Sequence, residues 1–268
     1  MTEIDSDAFH GCTGLTTIVI PDSVTQISGN VFADCSGLTD IRVAEGNPVY
    51  DSRNNCNAIV ETQSNKLICG CRNTIIPDSV TKIYDSAFCG CEALTSIVIP
   101  DSVTEIEANA FAGCRGLTSV NIPNSMEWID EGTFAGCSSL TSIVLPESLK
   151  GIEGLAFRGS GLTSIVIPES VTEILFRAFW ECEALKSVSI LGPVKYLGET
   201  FLWCSKLETV TLGTGIKTID GAFKDCTSLK TINVPAKKAD YYKKRLPENL
   251  HSLIVELPAE KKAANKRK

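Results

Sequence analysis

The chain has little of what most enzymes use for catalysis. It contains only two histidines, His10 and His251, which lie near opposite ends of its 268 residues. The Ser-His-Asp and Cys-His arrangements of nucleophilic catalysis therefore have almost no histidine available. No phosphate-binding loop or dinucleotide-binding fingerprint occurs. The carboxylates recur at repeated places such as Glu105 and Glu173, where solubility accounts for them. These absences predict a protein that is not an enzyme and binds no cofactor.

Long apolar stretches are also missing. The uncharged apolar runs are short and end at proline, as at residues 18–21, whereas a helix that spans a bilayer needs about 20 apolar residues. The N-terminus has neither the basic nor the apolar region of a secretory signal. We therefore expect no membrane insertion by this chain.

The negative charge is unevenly distributed. The net charge is −7, but residues 236–268 carry ten Lys and Arg against four Asp and Glu. The rest of the chain is strongly acidic, so it would repel the phosphates of a nucleic acid. We expect no nucleic-acid partner along the main surface, and a solvated basic tail over residues 261–268.

An internal repeat of 21 to 23 residues, lengthened once to 33, organises the sequence. The leading leucine recurs at positions 15, 38, 94, 117, 140, 162, 185, 207 and 229, with weaker rows beginning at Cys71 and Leu250. In each unit, Leu-x-x-Ile-x-Ile has the two-residue alternation of a strand with one buried face, and proline ends it. Val-Thr-Glu-Ile predicts a second short strand, and Ala-Phe-x-x-Cys a short helical or 3₁₀ turn. Stacked units share a core that no single unit could bury alone.

The pattern Ile-Pro-x-Ser-Val-Thr-x-Ile-x-x-x-Ala-Phe-x-x-Cys-x-x-Leu-x-x-Ile resembles the BspA-like class of leucine-rich repeat. The match covers residues 1 to about 235. The resemblance implies an α/β fold: a right-handed solenoid with a parallel concave sheet of about eleven strands. That class is common in surface proteins of Bacteroides-type bacteria and some mucosal protozoa. Membership implies attachment to host matrix or cell-surface proteins, and supplies no catalytic residues.

The repeat array is interrupted once and differs at its two ends. About ten extra residues, within an insertion over residues 46–70, predict a β-hairpin that stands off one edge, as either a tolerated loop or a binding lobe. Residues 236–260 predict a helix and strand that cap the array over residues 1–235. The chain begins inside a unit, at a place equivalent to Val-Thr-Glu-Ile, which predicts a fragment, a trimmed chain or a product that lost its leader.

Most of the twelve cysteines occupy one repeated place. Eight lie three residues before the leading leucine of a unit, and Ser160 takes that place in one unit. If these cysteines formed disulfides, the cysteine that pairs with this place would have no second sulfur to bond. We therefore predict buried free thiols rather than disulfides. The Cys69-x-Cys71 and Cys89-x-Cys91 pairs have the wrong spacing for zinc, and we expect no metal site.

Two surfaces are candidates for partner binding. The concave face is nearly uncharged, with hydroxyl and β-branched side chains, and is either an ordinary solvated sheet or a docking surface for a protein or a glycan. Two adjacent units also carry bulky side chains where other units have small ones, and these either pack on one another or form a binding patch. The concave candidates are Val98, Asn121, Val144, Val166 and Ser189. The patch candidates are Leu175, Phe176, Arg177, Trp180, Tyr196, Leu202 and Trp203.

The sequence therefore favours a non-catalytic protein-binding scaffold. The first hypothesis is a surface or secreted adhesin-type module, which binds host matrix or cell-surface proteins. The alternative is a cytoplasmic structural or protein–protein interaction scaffold, with reduced thiols and no leader.

Overall fold

Each repeat unit folds as one turn of a solenoid, because a polar turn, which in most units begins with proline, separates its two short apolar runs. The computed structural model describes residues 1–259, which form about 12 turns with parallel strands and very little helix. Proline has no backbone N–H to donate to a neighbouring strand, so the first run stops where proline occurs. The predicted solenoid is confirmed.

The first apolar run of each unit forms what we call the main strand. Equivalent core residues of successive units lie side by side, as Ile165, Val188 and Val210 do. The main strands are β2 Thr17–Ile20, β4 Asp40–Val43, β9 Ser96–Ile97, β11 Ser119–Val120, β14 Ser164–Ile167, β16 Ser187–Ile190, β18 Thr209–Leu212, β20 Thr231–Val234 and β21 Ile254–Glu256. They pair in the orders β2-β4, β9-β11 and β14-β16-β18-β20-β21.

The main sheet is less continuous than the repeat predicts. Within residues 1–259, the rows that begin at Cys71 and Leu140 are not assigned as strands, so the sheet has three groups of strands rather than one of about eleven. The last row is also shifted by one residue. Ile254 pairs with Ile232, which makes it a core residue, and Val255 takes the exposed place that the sequence pattern gave to Ile254.

The second apolar run forms a shorter strand on another side of the turn. Successive second strands pair in parallel, with Ile83 beside Ile106 and Ile152 beside Ile174. Most of them bury the isoleucine or leucine and leave the residue before it exposed or half-buried, whereas in β13 that residue is the buried Gly151. Their bounds are β1 Glu3–Ile4, β3 Gln26–Ile27, β8 Lys82–Ile83, β10 Glu105–Ile106, β12 Trp128–Ile129, β13 Gly151–Ile152, β15 Glu173–Ile174, β17 Tyr196–Gly198 and β19 Thr218–Asp220.

The inserted hairpin is part of the core. It consists of β5 (Tyr50–Asp51), a 3₁₀ turn at Arg53–Asn55, β6 (Ala58–Glu61) and β7 (Lys66–Gly70). Strands β6 and β7 are antiparallel, and β7 also pairs in parallel with β8, which joins the hairpin to the second-strand sheet. The expectation that the hairpin stands off one edge is therefore wrong.

Both faces of the hairpin are apolar, and for this reason it does not project into solvent. Ala58, Val60 and Leu67 pack into the large C-terminal core, while Ile59 and Ile68 pack into the smaller N-terminal core. The hairpin thus separates the hydrophobic interior of the solenoid into two clusters.

The C-terminal segment covers the last full unit. Helix α1 (Ala239–Lys243) is followed by a 3₁₀ helix (Glu248–Leu253) and by β21. Tyr242 and Leu246 are buried, and the Tyr242 hydroxyl donates a hydrogen bond to the carbonyl of Gly213. The predicted basic tail at residues 261–268 lies outside the described residues.

A column of stacked phenylalanine rings runs through the core. The rings from Phe88 to Phe223, one in each unit, have centroid separations of 5.0 to 5.9 Å and are nearly parallel. Phe9 and Phe32 form a separate pair at 5.3 Å. The hairpin fills the interval between the two stacks, because Gly70 of β7 lies directly against the Phe88 ring. Aromatic pairs of this kind contribute about 0.5–1.5 kcal/mol beyond their buried area.

The cysteine column has a hydrogen-bonding role that the sequence pattern alone does not show. From Cys35 onward, thiols of the column donate to the backbone carbonyl of the phenylalanine one unit earlier, as Cys114 does to Phe88 and Cys137 to Phe111, at Sγ–O distances of 3.0 to 3.2 Å. Ser160 takes the same place and its hydroxyl lies 3.4 Å from the Cys182 sulfur. The position therefore holds a small side chain, which in most of these units ties the turn to the unit before it.

All twelve cysteines are free thiols, and eleven of them are at least half-buried. Burial raises the pKa of the Cys91, Cys137 and Cys226 thiols to about 12, and that of Cys89 to about 11. These groups stay protonated at neutral pH and are poor nucleophiles. Cys12 is exposed.

We predict that Gly70→Ala destabilises the protein by about 1–3 kcal/mol, because the new β-carbon would overlap the Phe88 ring. Gly14→Ala is the matched control, since no atom lies within 4 Å of a β-carbon at that position. Urea unfolding measures both free energies of unfolding. Equal stability of the two variants would contradict the placement of the hairpin.

We predict that one thiol reacts rapidly with a disulfide reagent at pH 8 in the folded protein, and twelve in guanidinium chloride. The fast thiol is Cys12, which is exposed, so Cys12→Ser should abolish the fast phase. Fewer than twelve reactive thiols after unfolding without reductant would instead indicate disulfides in the isolated protein.

Candidate partner-binding surface

Trp203 occupies a backbone position that five other units fill with glycine and three with Asp or Glu. The residue before each cysteine-column position has a positive φ, and Gly113, Gly136 and Gly159 supply it in three successive units. Trp203 has φ 63° at the equivalent place. The left-handed region is unfavourable for a bulky residue and costs about 1–3 kcal/mol. The turn therefore holds an indole where a glycine would be more stable.

Trp203 belongs to a surface that we call the aromatic patch, formed by Phe176, Arg177, Trp180 and Trp203. Phe176 and Trp203 are 48% and 47% exposed, and Trp180 is half-buried between them and the core. The Trp180 and Trp203 rings lie 5.9 Å apart and are tilted by 43°. Units that follow β15 and β17 thus present one contiguous aromatic surface.

Ion pairs between neighbouring units fix the arginines of the patch. The Arg177 guanidinium lies 4.9 Å from the Trp180 ring and 4.6 Å from the Phe176 ring, and its nitrogens bind Glu199 at 2.7 Å. Arg158 lies 4.3 Å from the Trp180 ring and pairs with Glu181 at 3.0 Å. The patch is therefore preorganised, and both Arg177 of the patch and the neighbouring Arg158 have a carboxylate partner.

The indole nitrogens of the two tryptophans differ. Trp203 Nε1 donates to Asp225 at 2.9 Å, which orients the ring. Trp180 Nε1 is buried and has no hydrogen-bond partner among the described residues. A buried donor without a partner is unusual in folded proteins and is costly to maintain. This nitrogen belongs to Trp180, a residue of the aromatic patch.

The structure changes the set of patch residues that the sequence suggested. Leu175 is exposed beside Phe176 in the chain. Leu202 is only 6% exposed and belongs to the core side of its turn, so it offers no surface. Tyr196 is exposed, but its ring lies over Gly198 on β17, and within the described chain it makes no ring contact with the tryptophans. The patch is therefore smaller than predicted.

Two residues that hold the patch together were missed in the sequence. Arg158 lies 22 residues before Trp180, and Asp225 lies 22 residues after Trp203. In a solenoid with this repeat, residues one unit apart are neighbours. A search for charged residues at that offset from each tryptophan would have found both.

The outward face of the main strands, which we call the main-strand face, is the surface that the sequence predicted to be concave. Its valine candidates are exposed, but its candidate Ser189 is not. Val98 and Val144 are 75% and 83% exposed, and Val166 is also exposed, whereas Ser189 is half-buried. The Asn121 side chain accepts from the backbone N–H of Ile99 and donates to its carbonyl, at 2.8 and 2.7 Å. The Asn121 side chain thus makes hydrogen bonds that a neighbouring strand would otherwise make between the two rows. This structural role accounts for the asparagine without a bound ligand.

A second tryptophan site lies on the second-strand side. Trp128 stacks over Gly151, where any β-carbon would overlap its ring. Nearby, burial and, after it, the negative charges of Glu105, Glu153 and Glu107 together raise the pKa of Asp130 from 3.8 to about 6. Repulsion between these carboxylates is a cost to the fold at neutral pH.

The histidines do not form a catalytic arrangement with one another. His10 lies in the first unit, with Nε2 3.4 Å from Asp34. His251 is in the 3₁₀ helix rather than on the last strand, and its Nε2 is 2.9 Å from the carbonyl of Leu246. Across residues 1–259, no group of three or more His, Cys, Asp or Glu side chains is arranged to hold a metal ion.

Stacked parallel strands with an internal phenylalanine column define a leucine-rich-repeat solenoid. Proteins with this fold are typically non-catalytic modules that bind other proteins. The chain belongs to the BspA type leucine-rich-repeat family, whose sequence model matches it in six copies over residues 1–61, 63–186 and 139–246. The resemblance seen in the sequence is thus confirmed.

Solved structures of bacterial leucine-rich-repeat proteins are similar to the chain. A leucine-rich cell surface protein from Faecalibacterium prausnitzii is 28% identical over 92% of this chain and 55% of its own, with a TM-score of 0.55. A leucine-rich-repeat protein from T. pallidum is 26% identical over 70% of this chain and 92% of its own, with a TM-score of 0.56. The pneumococcal vaccine antigen PcpA, at 20% identity and a TM-score of 0.56 over 92% of this chain and 56% of its own, shares the fold.

The chain therefore spans about half the length of the Faecalibacterium protein. None of the curated proteins matches the chain in sequence. Among residues 1–259, no helix has the length and apolar character needed to span a membrane.

We predict that Asp130→Asn stabilises the protein at pH 7 by about 1 kcal/mol, after allowance for solvent screening of a partly exposed group. The pKa of Asp130 is raised in the folded state, so its ionisation opposes folding. The penalty is absent below pH 4 and grows as the pH rises through 6. Thermal unfolding at pH 3.5 and pH 7 measures the difference, with exposed Glu147→Gln as the control. A benefit that is equal at both pH values would contradict the assignment.

Proposed function

We propose that this chain is a protein-binding scaffold that contacts its partner through the aromatic patch. The observation that carries the proposal is the exposed Trp203 indole, held in a left-handed backbone conformation. Strain of this kind persists where surrounding structure or function maintains it, and it clusters at binding sites. Packing between units does not explain Trp203, because glycine serves at the equivalent place in five other units, and the remaining three hold smaller acidic side chains there.

The composition of the patch also supports a protein partner. Tryptophan, tyrosine and arginine are the residues most enriched among binding hot spots. The two arginines are already paired with Glu199 and Glu181, so the patch presents aromatic faces rather than unpaired positive charge. A partner with an apolar centre and a polar rim is the best match.

Within this scaffold role, we place the protein on a cell surface or outside the cell, as an adhesin-type module for host matrix or cell-surface proteins. The family and the cell surface protein from Faecalibacterium prausnitzii support the proposal. The acidic charge of the repeat array argues for a protein or a neutral glycan rather than a polyanion.

The second candidate is an intracellular scaffold, which the twelve free thiols favour. Protease treatment of intact source cells separates the two locations. Digestion of the chain without lysis supports the surface, whereas protection until lysis supports the intracellular alternative.

We predict that Trp203→Gly weakens partner binding at least thirtyfold and leaves the thermal stability unchanged or higher. A hot-spot side chain contributes about 2 kcal/mol or more, and glycine relieves the backbone strain. Biolayer interferometry against a panel of purified extracellular-matrix proteins measures the affinity. The double variant with Trp180→Ala should bind no better than the single variant.

The matched controls are Val98→Thr and Val144→Thr, which change the main-strand face and leave the patch intact. If these variants lose binding while Trp203→Gly retains it, the site lies on the main-strand face. If no matrix protein binds the wild-type chain, the adhesin assignment is wrong.

A further inference from the structure

The phenylalanine column ends at Phe223 against a cavity. The Phe223 ring stacks on Phe201 with an interplanar angle of 3°, so its other face points along the axis towards the C-terminal segment. A cavity of about 360 Å3 lies there, with Phe223, Ile219, Pro247 and Leu250 among its lining residues. We call it the end cavity. It lies where the next ring of the column would be.

One core side chain at the end cavity is less covered than its equivalent elsewhere. Ile219, which lines the cavity, is partly exposed, whereas Ile174, at the same place in an interior unit, is almost completely buried. The C-terminal segment thus leaves apolar surface of the last unit uncovered. That surface forms the wall of an open, largely apolar site.

The cavity is large enough to hold one aromatic ring. An apolar cavity of roughly 150 Å3 accommodates benzene, and ligand pockets usually range from about 300 to 1,000 Å3. A flat ring on Phe223 would continue a column whose rings lie 5.0 to 5.9 Å apart. Asn249 and Asp225 at the cavity provide hydrogen-bonding groups for a phenol hydroxyl.

The end cavity is continuous with the aromatic patch. Asp225 lines the cavity and accepts the hydrogen bond from Trp203 Nε1 at 2.9 Å. A chain that lies across Trp203 therefore reaches the cavity within one unit of the solenoid.

We propose that the end cavity receives one aromatic side chain of the protein partner, which completes the phenylalanine column from outside. This inference rests on the proposed function, because it assigns an anchor residue to the same partner. Buried aromatic anchors that fill a pocket are the usual energetic centre of an interface.

Binding of p-cresol, the side chain of tyrosine, tests the cavity without a partner. We expect saturable shifts of the Ile219 and Leu250 methyl NMR signals, with a Kd on the order of 1 mM, which corresponds to about 0.5 kcal/mol per non-hydrogen atom. Cyclohexanol, which is similar in size but not flat, should bind at least tenfold more weakly. Non-saturable p-cresol shifts, or equal binding of cyclohexanol, would overturn the proposal.

Variants that narrow the end cavity provide a second test of p-cresol binding. Leu250→Trp and Asn249→Trp should each weaken p-cresol binding at least tenfold, and Asn249 is exposed, so its replacement leaves the fold intact. Val255→Trp, an exposed position on β21, is the control and should bind as the wild type does. Retained p-cresol affinity in both cavity variants would place the ligand elsewhere and overturn the proposal.

Binding of the partner that the panel of matrix proteins identifies tests whether the end cavity is its anchor site. Asn249→Trp should weaken its binding at least tenfold, and p-cresol should compete with it. If p-cresol binds the cavity but the partner affinity is unchanged, the cavity is not the anchor site. The effect of Trp203→Gly stands independently of this result, so the two proposals can fail separately.

Discussion

The whole structure depends on the stacking of one unit on the next. No unit can bury its own apolar residues, so each relies on the side chains of its neighbours. Two columns make the contact specific: the phenylalanine rings stack, and thiols of the cysteine column donate to phenylalanine carbonyls one unit earlier. The thiol adds a second hydrogen bond to a carbonyl that already accepts from the backbone N–H of the cysteine in its own unit, as at Phe111, so the column ties each of these units to the one before it.

The inserted hairpin shows how strict this requirement is. Ten extra residues interrupt the column, but the hairpin does not project into solvent. It buries one face in each core cluster, and Gly70 gives the Phe88 ring a flat surface to contact. An insertion that simply looped out would leave the two cores open to water. The two apolar faces of β6 and β7 make the interruption compatible with a continuous solenoid.

Because the interior is so uniform, departures from the repeat are informative at the surface. The turns around Trp180 and Trp203 keep the same backbone conformation as the turns that contain glycine, yet they carry large aromatic side chains. The end cavity is a second departure, where the column stops without a ring. Both lie at the C-terminal part of the array, and Asp225 connects them.

The repeat in the sequence determined the solenoid, its strand alternation and the inward-facing residues, because each unit obeys the same two-residue pattern and the same proline stop. It also located Trp180 and Trp203 as exceptions. Only the tertiary structure decided that the hairpin is buried, that Leu202 faces the core and that Tyr196 lies apart from the patch. It alone brought Arg158 and Asp225 to the tryptophans and left the cavity beyond Phe223. These features depend on which side chains meet between units 22 residues apart, and local patterns do not encode such contacts.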